Sequence, residues 1–310
     1  MIRFRHITFL LLVSIALSGC ASYVQRIVLQ SLGRIGEAIP PPPHMVATPL
    51  LPNAKLAVSW IGHATVLVQI DDKLIITDPF LTNTIGMVVK RSVGPGLDPA
   101  LLPKMDVTLI SHIHFDHLSY GSLEMLPKNG ILAVPLGAGA YTPDFGFKDV
   151  YEMKPWDVIE SDGIRITAVP VQHFTGRYGI DAEWMDDLGF TGYVIEYGGY
   201  TVFFAGDTGY NPEYFKEIGR RFKIDLALIP IAPGGGSGIG SRVHVNPLGA
   251  LMILRDVGAK YMVPIHYGTL FYGPETNPTE PLTRLREAAA REGVSDKVIG
   301  LEMGEQRVLF

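Results

Sequence analysis

Apolar runs rich in Val, Ile and Leu recur along the chain from Asn53 onwards and predict β-strands, because most of them are short and end at turn-forming residues. Gly198-Gly199 lies inside one of these runs and predicts a hairpin turn. The predicted strands are LAVSWIGHATVLVQI, DKLIITDPF, VTLISH, ILAVPL, IRITAVPVQHF, YVIEYGGYTVFFAGD, DLALIPIA, YMVPIHY and VIGLEMGEQRVLF.

Helical signals fall between the later strands. Asn211-Pro212 and Asn246-Pro247 each predict a capping residue followed by proline in the first turn. The second of these helices should end at Gly258, and a further helix should begin at Pro281 and end at Gly293. Strands dominate the first half and helices join later, so the pattern predicts an α/β fold of two sheets packed face to face, with helices outside.

The N-terminal segment predicts a lipoprotein signal peptide over residues 1–19. Arg3 and Arg5 precede an apolar run that is too short for a comfortable transmembrane helix. The ending LSGC resembles a bacterial lipobox with Cys20 as the lipidated residue; the alternative is an ordinary secretory signal that happens to end in cysteine. Ala21 follows, which resembles outer-membrane sorting, so we expect a lipid-anchored protein of the cell envelope, at the periplasmic face of the outer membrane.

Residues 20–52 are expected to connect this lipidated cysteine to the domain. Apolar residues between positions 24 and 35 have helical spacing and predict a short helix, which either lies in the membrane interface or packs on the domain. Pro40 to Pro43 then predict a stiff extended tether. The catalytic domain should occupy residues 53–310.

Composition narrows the functional classes. The chain has 310 residues, 47% of them hydrophobic, which is enough for a large packed core. Its net charge of -5 argues against nucleic acid as a partner, because binding to phosphates favours a basic surface. The single cysteine has no partner for an internal disulfide.

The segment SHIHFDHLS carries the strongest chemical signal. His112, His114, Asp116 and His117 follow the predicted strand VTLI within six positions. Zn²⁺ binds imidazole nitrogen and carboxylate oxygen and needs at least three such ligands in a protein site. Packing alone does not explain three histidines in one loop, because a core would leave their nitrogens unsatisfied.

Other metal-binding side chains also end apolar runs. His173, Asp207 and His266 each lie where a predicted strand stops. Such strand ends meet at one edge of a sheet, where binding sites are commonly built. These three residues are therefore candidates to complete a site around the histidine-rich loop.

HxHxDH, a strand-terminal histidine, GD[ST] and a second strand-terminal histidine resemble, in this order, the metal signature of the metallo-β-lactamase superfamily. The segments WIGHATVLVQ, TDPF, SHIHFDHLS, FAGDTGYNPEYFKEIGRRF, DLALIPI, HVNP and IHYGT look most like its N-acyl-phosphatidylethanolamine-hydrolysing phospholipase D branch. The resemblance covers about residues 53–270 and implies a four-layered αβ/βα sandwich with a dinuclear zinc site.

The resemblance also implies residue roles. One Zn²⁺ would be bound by His112, His114 and His173, and a second by Asp116, His117 and His266, with Asp207 bridging both. A hydroxide between the metals is the implied nucleophile, since two metals activate water and clamp a phosphoryl group. No GxSxG, P-loop or GxGxxG motif competes with this interpretation.

Three further residues are candidates around the metals. Asp78 resembles the carboxylate that orients a ligand imidazole, and the alternative is a turn aspartate before Pro79. His63 is expected within a strand, either as a structural residue or reaching the site. His244 resembles a histidine that binds or protonates a phosphate-ester leaving group. Asp116 and His244 are thus the candidate catalytic residues.

Three functions are compatible with these residues. The first is a dinuclear zinc phosphodiesterase acting on a phospholipid-like substrate, for which Arg177, Arg242 and Lys90-Arg91 would suit the phosphate. The second is the same site acting on a lactone, amide or thioester, and the third is a non-catalytic membrane-anchored scaffold. Aromatic residues of segment 174–191 either line an apolar pocket or pack that loop down: Tyr178, Trp184 and Phe190.

Overall fold

The computed structural model describes residues 28–34, 36–86, 89–178, 180–185, 188–233, 238–271 and 277–310. The predicted signal peptide, Cys20 and residues 21–27 lie outside this described part. Residues 28–33 are helical (α1), at the end of the predicted N-terminal helix. No helix in the described ranges is long and apolar enough to cross a membrane.

Two sheets form the centre of the domain. A seven-stranded sheet has the order β15-β1-β2-β3-β6-β7-β8, and a six-stranded sheet the order β14-β13-β12-β11-β10-β9. The strands are β1 Leu56–Gly62, β2 Thr65–Ile70, β3 Lys73–Thr77, β4 Thr84–Ile85, β5 Val89–Lys90, β6 Val107–Leu109, β7 Ile131–Pro135, β8 Asp149–Met153, β9 Val158–Ser161, β10 Ile164–Val169, β11 Gly192–Tyr197, β12 Tyr200–Phe204, β13 Leu226–Pro230, β14 Tyr261–Ile265 and β15 Gln306–Val308.

Helices lie outside the sheets, as predicted. They are α2 Tyr120–Met125, α3 Pro212–Arg221, α4 Pro247–Val257 and α5 Glu280–Glu292, with short 3-10 turns at Pro99–Leu101, Gly139–Tyr141, Ile180–Trp184 and Ser295–Lys297. The side chains of Asn211 and Asn246 each accept two backbone N–H groups at the helix start. Gly258 and Gly293 end α4 and α5 in the left-handed conformation, which glycine adopts without steric cost.

Two apolar clusters fill the layers. The larger joins both sheets with the outer helices, and includes Val66, Phe203 and Leu251. The smaller covers the other face of the seven-stranded sheet, where Leu67 and Leu123 are buried. Two sheets packed face to face with helices outside form the predicted α/β sandwich. Apolar side chains project from both faces of each sheet, and both faces are therefore covered.

Several sequence predictions of elements need correction. The run 56–70 is two antiparallel strands, β1 and β2, rather than one, and His63 lies in the turn between them with φ 56°. In the C-terminal run 298–310, only Gln306–Val308 is a strand. The short elements β8, β9 and α2 were not predicted, because exposed polar positions interrupt their apolar pattern.

Candidate metal centre

Loops that leave the strands at one edge of the two sheets carry the candidate residues. Asp78 directly follows β3, and the segment 111–117 follows β6. The other sheet contributes His173 after β10, Asp207 after β12 and His266 after β14. The parallel pairs β3·β6, β12·β13 and β13·β14 align these strand ends, which brings residues distant in sequence together.

The first predicted ligand group converges. One possible ligand atom from each of His112, His114 and His173 lies within 4.8 Å of the others. His114 Nδ1 is 3.4 Å from His173 Nε2. The Nδ1 of His173 lies 3.0 Å from the Val243 carbonyl, which only accepts, so this nitrogen carries the proton and Nε2 keeps its lone pair for the site.

The second group also converges and meets the first at Asp207. His117 Nε2 lies 3.5 Å from both Asp116 Oδ2 and Asp207 Oδ2. His266 Nε2 lies 3.0 Å from Asp207 Oδ2 and 3.8 Å from Asp116 Oδ2. Asp207 also groups with His173 and His244, so its carboxylate lies between the two ligand groups.

The donor set fits two metal ions. Tetrahedral zinc with ligands at about 2.0–2.2 Å places neighbouring ligand atoms about 3.3–3.6 Å apart. The distances given above between neighbouring ligand atoms range from 3.0 to 3.8 Å, which brackets these values. Buried ligand atoms without a hydrogen-bond partner support the same conclusion: Nε2 of His112, Nε2 of His117 and Oδ1 of Asp207.

Electrostatics distinguishes the two groups. Burial lowers the pKa of His114 to about 4 and that of His112 and His173 well below the usual value, so these imidazoles are neutral. Burial also lowers the pKa of His266, but attraction to Asp207 outweighs it and raises that pKa to about 9. The carboxylates of the second group thus stabilise positive charge on its members, and the same carboxylates would stabilise a bound cation.

Asp78 makes the contact expected of an orienting carboxylate. It is fully buried, and its Oδ2 lies 2.6 Å from His117 Nδ1. The same carboxylate accepts from the backbone N–H and the hydroxyl of Ser111. Ser111 was missed by the sequence analysis, although its position directly before His112 was the available signal.

His63 reaches the site, although its predicted place within a strand was wrong. Its Nε2 lies 3.0 Å from Asp116 Oδ2, and it groups with Asp116, His117 and His266. Burial, followed by the nearby His266, lowers the pKa of His63 to about 3, so the ring is neutral. A neutral ring that donates from Nε2 would fix one oxygen of Asp116.

His244 lies beside the Asp207 carboxylate. Its Nδ1 is buried without a hydrogen-bond partner and lies 3.6 Å from Asp207 Oδ2. The ring lies 5.1 Å from that of His173. Burial lowers the pKa of His244 to about 4, because its ring, on the loop before α4, packs against the cluster. The structure therefore places it where a substrate group or a metal would contact it.

Two of the four cations predicted to suit a phosphate are used elsewhere, and a third is used in part. Arg91 is fully buried and donates to the carbonyls of Phe80 and Val93. Lys90 Nζ donates to backbone carbonyls of residues 34 and 37. Arg177 Nη1 donates to the Ile113 carbonyl at 2.6 Å. The predictions for Lys90 and Arg91 were wrong because backbone carbonyls took their donors. Arg177 keeps a buried Nε without a hydrogen-bond partner, and Arg242 remains exposed on the loop that carries His244.

Exposed aromatic side chains lie beside the cluster, and we call them the aromatic rim (Phe115, Phe174 and Tyr178). The Phe174 ring lies 4.5 Å from that of His114. Phe115 and Tyr178 pack edge to face at 5.6 Å, and Tyr178 is 60% exposed. Phe190 is half-buried and forms a bridge with His112, so it packs the loop down. The Trp184 side chain lies outside the described part.

Comparisons with known proteins identify related sequences. A family model described as the beta-lactamase superfamily domain matches residues 73–267. An uncharacterized protein of Mycobacterium tuberculosis is 30% identical over 92% of this chain and 78% of its own. A metal-dependent hydrolase of Methanopyrus kandleri is 31% identical over 81% of this chain and 98% of its own. N-acyl-phosphatidylethanolamine-hydrolyzing phospholipase D 1 of Caenorhabditis elegans is 29% identical over 81% and 75%.

Solved structures agree on the fold. The isothiocyanate hydrolase from Delia radicum gut bacteria superposes with a TM-score of 0.64 at 21% identity. The match covers 81% of this chain and 98% of that one. At this identity the likeness concerns the arrangement of sheets and helices, and it supports the four-layered sandwich.

Proposed function

The chain belongs to the metallo-β-lactamase superfamily and is a metal-dependent hydrolase, and on this premise we propose that it is a dinuclear zinc phosphodiesterase acting on a phospholipid-like substrate. One observation carries the proposal. Two ligand groups meet at Asp207, and the exposed Phe174 ring lies 4.5 Å from the ring of His114 in the first group. This arrangement joins a site for two cations to a surface for an apolar chain.

Charge and shape support a phosphodiester with lipid chains. Two divalent ions, when bound, activate water and neutralise the charge of a phosphoryl group. The site then needs few cationic side chains, which is compatible with the use of Lys90 and Arg91 by backbone carbonyls. Sequence likeness to an N-acyl-phosphatidylethanolamine-hydrolyzing phospholipase D supports the same substrate class.

The residues of this chain would then have separate tasks. His112, His114 and His173 would hold one ion, and the second group would hold the other through its two imidazoles and Asp116. Asp207 would bind both. His244 Nδ1, unpartnered beside Asp207, would donate to the leaving oxygen or bind the phosphoryl oxygens. The aromatic rim would take the apolar part of the substrate out of water.

The proposal includes attachment to the cell envelope through Cys20. The sequence LSGC supports this attachment, and the packing of α1 against the domain indicates where the anchor would lie. Ser31 Oγ accepts from the Lys90 backbone N–H, and the Arg34 guanidinium lies 4.4 Å from the Phe271 ring, five residues after His266. An anchor eight residues before α1 would therefore leave the site close to the lipid surface.

The test is a substrate panel on the zinc-loaded protein in ¹⁸O-water. A long-chain phospholipid diester in micelles, a soluble short-chain phosphodiester, a lactone and a thioester are compared. We expect hydrolysis of the phospholipid with one labelled oxygen on phosphorus, because water adds to phosphorus and the P–O bond to the leaving alcohol breaks, with the proton going to the alkoxide oxygen. Labelled carboxylate from the lactone or thioester, with inert diesters, would favour the second function.

The control is the same protein after chelation and again after zinc is restored. Activity should disappear and return, since the proposed ligands hold the ions without covalent attachment. A protein that binds zinc but hydrolyses no member of the panel would instead support the non-catalytic scaffold.

A further inference from the structure

Ser111 joins the two ligand groups through hydrogen bonds that the ligand assignment does not use. Its hydroxyl oxygen lies 2.5 Å from Asp78 Oδ2 and 2.9 Å from His112 Nδ1. His117 Nδ1 lies 2.6 Å from that same Asp78 oxygen. A continuous chain of contacts therefore runs from His112, in the first group, to His117, in the second.

Counting protons gives this chain a direction. A serine hydroxyl has one hydrogen, and an ionised carboxylate only accepts. The Ser111 hydroxyl must donate to Asp78. If it donated to His112 instead, the Ser111 and Asp78 oxygens would be two acceptors 2.5 Å apart. His112 Nδ1 must then carry a proton and donate to Ser111, which leaves His112 Nε2, buried and without a hydrogen-bond partner, for a metal.

We propose that Ser111 is a positioning residue that lets the single carboxylate of Asp78 set the tautomers of two metal ligands, one in each half-site. His117 is fixed by direct contact with Asp78, and His112 is fixed through the Ser111 hydroxyl. The proposal rests on the proposed metal centre and adds a specific coupling within it. A partner that holds the second ring nitrogen orients a metal-binding imidazole and increases its affinity for the metal.

The surroundings hold the hydroxyl in place. Ser111 is 1% exposed, so bulk water does not compete for its hydrogen bonds. Its backbone N–H donates to Asp78 Oδ1 at 2.6 Å. Gly206 has φ 60° and packs so closely that a Cβ there would lie 2.7 Å from Ser111 Oγ. Asp207, the bridging residue, follows directly, so the Ser111 side chain is enclosed by elements of the site.

The first test separates the two ions. A His266→Ala background should weaken mainly binding of the second ion, and a His173→Ala background mainly binding of the first, so each background allows the tighter remaining ion to be measured. Ser111→Ala is added to each, and the zinc dissociation constant is measured by competition with a chromophoric chelator. We expect the constant of the first ion to rise about tenfold or more, and that of the second to change less than about twofold.

Ser122→Ala is the matched control, because Ser122 is a fully buried serine whose hydroxyl accepts from the Leu81 backbone N–H and contacts no ligand. It should leave both constants unchanged. Equal rises for both ions, or no rise, on adding Ser111→Ala would overturn the proposal. If the background proteins and the unmutated protein bind no zinc at all, the metal centre itself is wrong, which is a different result.

A second measurement needs no substitution, so it holds even where a variant fails to fold. ¹⁵N NMR of the zinc-loaded protein with labelled histidine reports which ring nitrogen is protonated. We expect protonated Nδ1 and metal-bound Nε2 for both His112 and His117. A His112 ring that is protonated at Nε2, or bound through Nδ1, would overturn the proposal.

Discussion

His63 and His266 are joined through their backbones beside the second ligand group. The His266 N–H donates to the His63 carbonyl at 2.9 Å, and the two rings lie 4.2 Å apart. Both residues have left-handed backbone conformations, with φ 56° and 62°. Non-glycine residues rarely adopt this conformation, which marks a place where the surrounding structure determines the backbone. The pair therefore connects the turn after β1 to the ligand after β14.

The first prediction concerns His63. Because the Nε2 of His63 contacts Asp116, His63→Asn and His63→Ala should both weaken the binding of the second zinc ion about 10- to 100-fold. Asparagine tolerates the left-handed backbone better than alanine, so His63→Ala should also unfold more easily than His63→Asn, by about 1 kcal/mol. Zinc titration and urea unfolding of the metal-free protein measure the two effects.

His44→Ala is the control for His63, because the exposed His44 pairs with Glu302 away from the cluster. It should leave the zinc affinity unchanged. Unaltered affinity for the second ion in both His63 variants would show that His63 only packs against His266.

The second prediction concerns Asp207, the proposed bridging residue. Elemental analysis of gently purified protein should find close to two equivalents of zinc. Asp207→Ala should lose most of both ions, because Asp207 lies between the two groups. His173→Ala should mainly weaken binding of the first ion, and His266→Ala binding of the second. Folded, active protein without metal would contradict this assignment.

The third prediction concerns His244, whose Nδ1 lies 3.6 Å from Asp207 without a hydrogen bond. As an acid or phosphate-binding group, His244→Ala should keep both zinc ions but lose about 10²–10⁴-fold in rate. Parallel zinc analysis and steady-state rates decide the matter. Loss of zinc would make His244 a ligand, and full rate with both ions would make it a packing residue.

The fourth prediction concerns the aromatic rim. Phe174→Ser should lower the rate on a micellar phospholipid far more than on a soluble short-chain diester, because Phe174 is 45% exposed beside His114. Met125→Ser is the matched control, since Met125 is 48% exposed on α2. Equal losses on both substrates would indicate that Phe174 supports the ligand loop instead.

The fifth prediction concerns location. If Cys20 is lipidated, the wild-type protein should fractionate with outer membranes and incorporate labelled palmitate, whereas Cys20→Ser should be released or remain unprocessed. An unlabelled, freely soluble wild-type protein in the periplasm would exclude the anchor and leave the hydrolase proposal standing.

Local signals in the sequence determined the helix ends and the chemistry of the histidine loop. Asn211, Asn246, Gly258 and Gly293 cap or end helices as predicted, because their hydrogen bonds and dihedral angles involve only neighbouring residues. The spacing of histidines and aspartate in residues 112–117 likewise specified metal-binding groups on one loop. Their family resemblance predicted the sandwich that the structure has.

Only the tertiary structure decided which side chains face the site. Arg91 donates to the carbonyls of Phe80 and Val93 instead of to a substrate, because the folded chain places those carbonyls beside its buried guanidinium. Asp78 and Ser111 meet across 33 positions because β3 and β6 pair in parallel. Sequence alone identifies the residues able to bind metal, whereas the pairing of strands sets their distances and orientations.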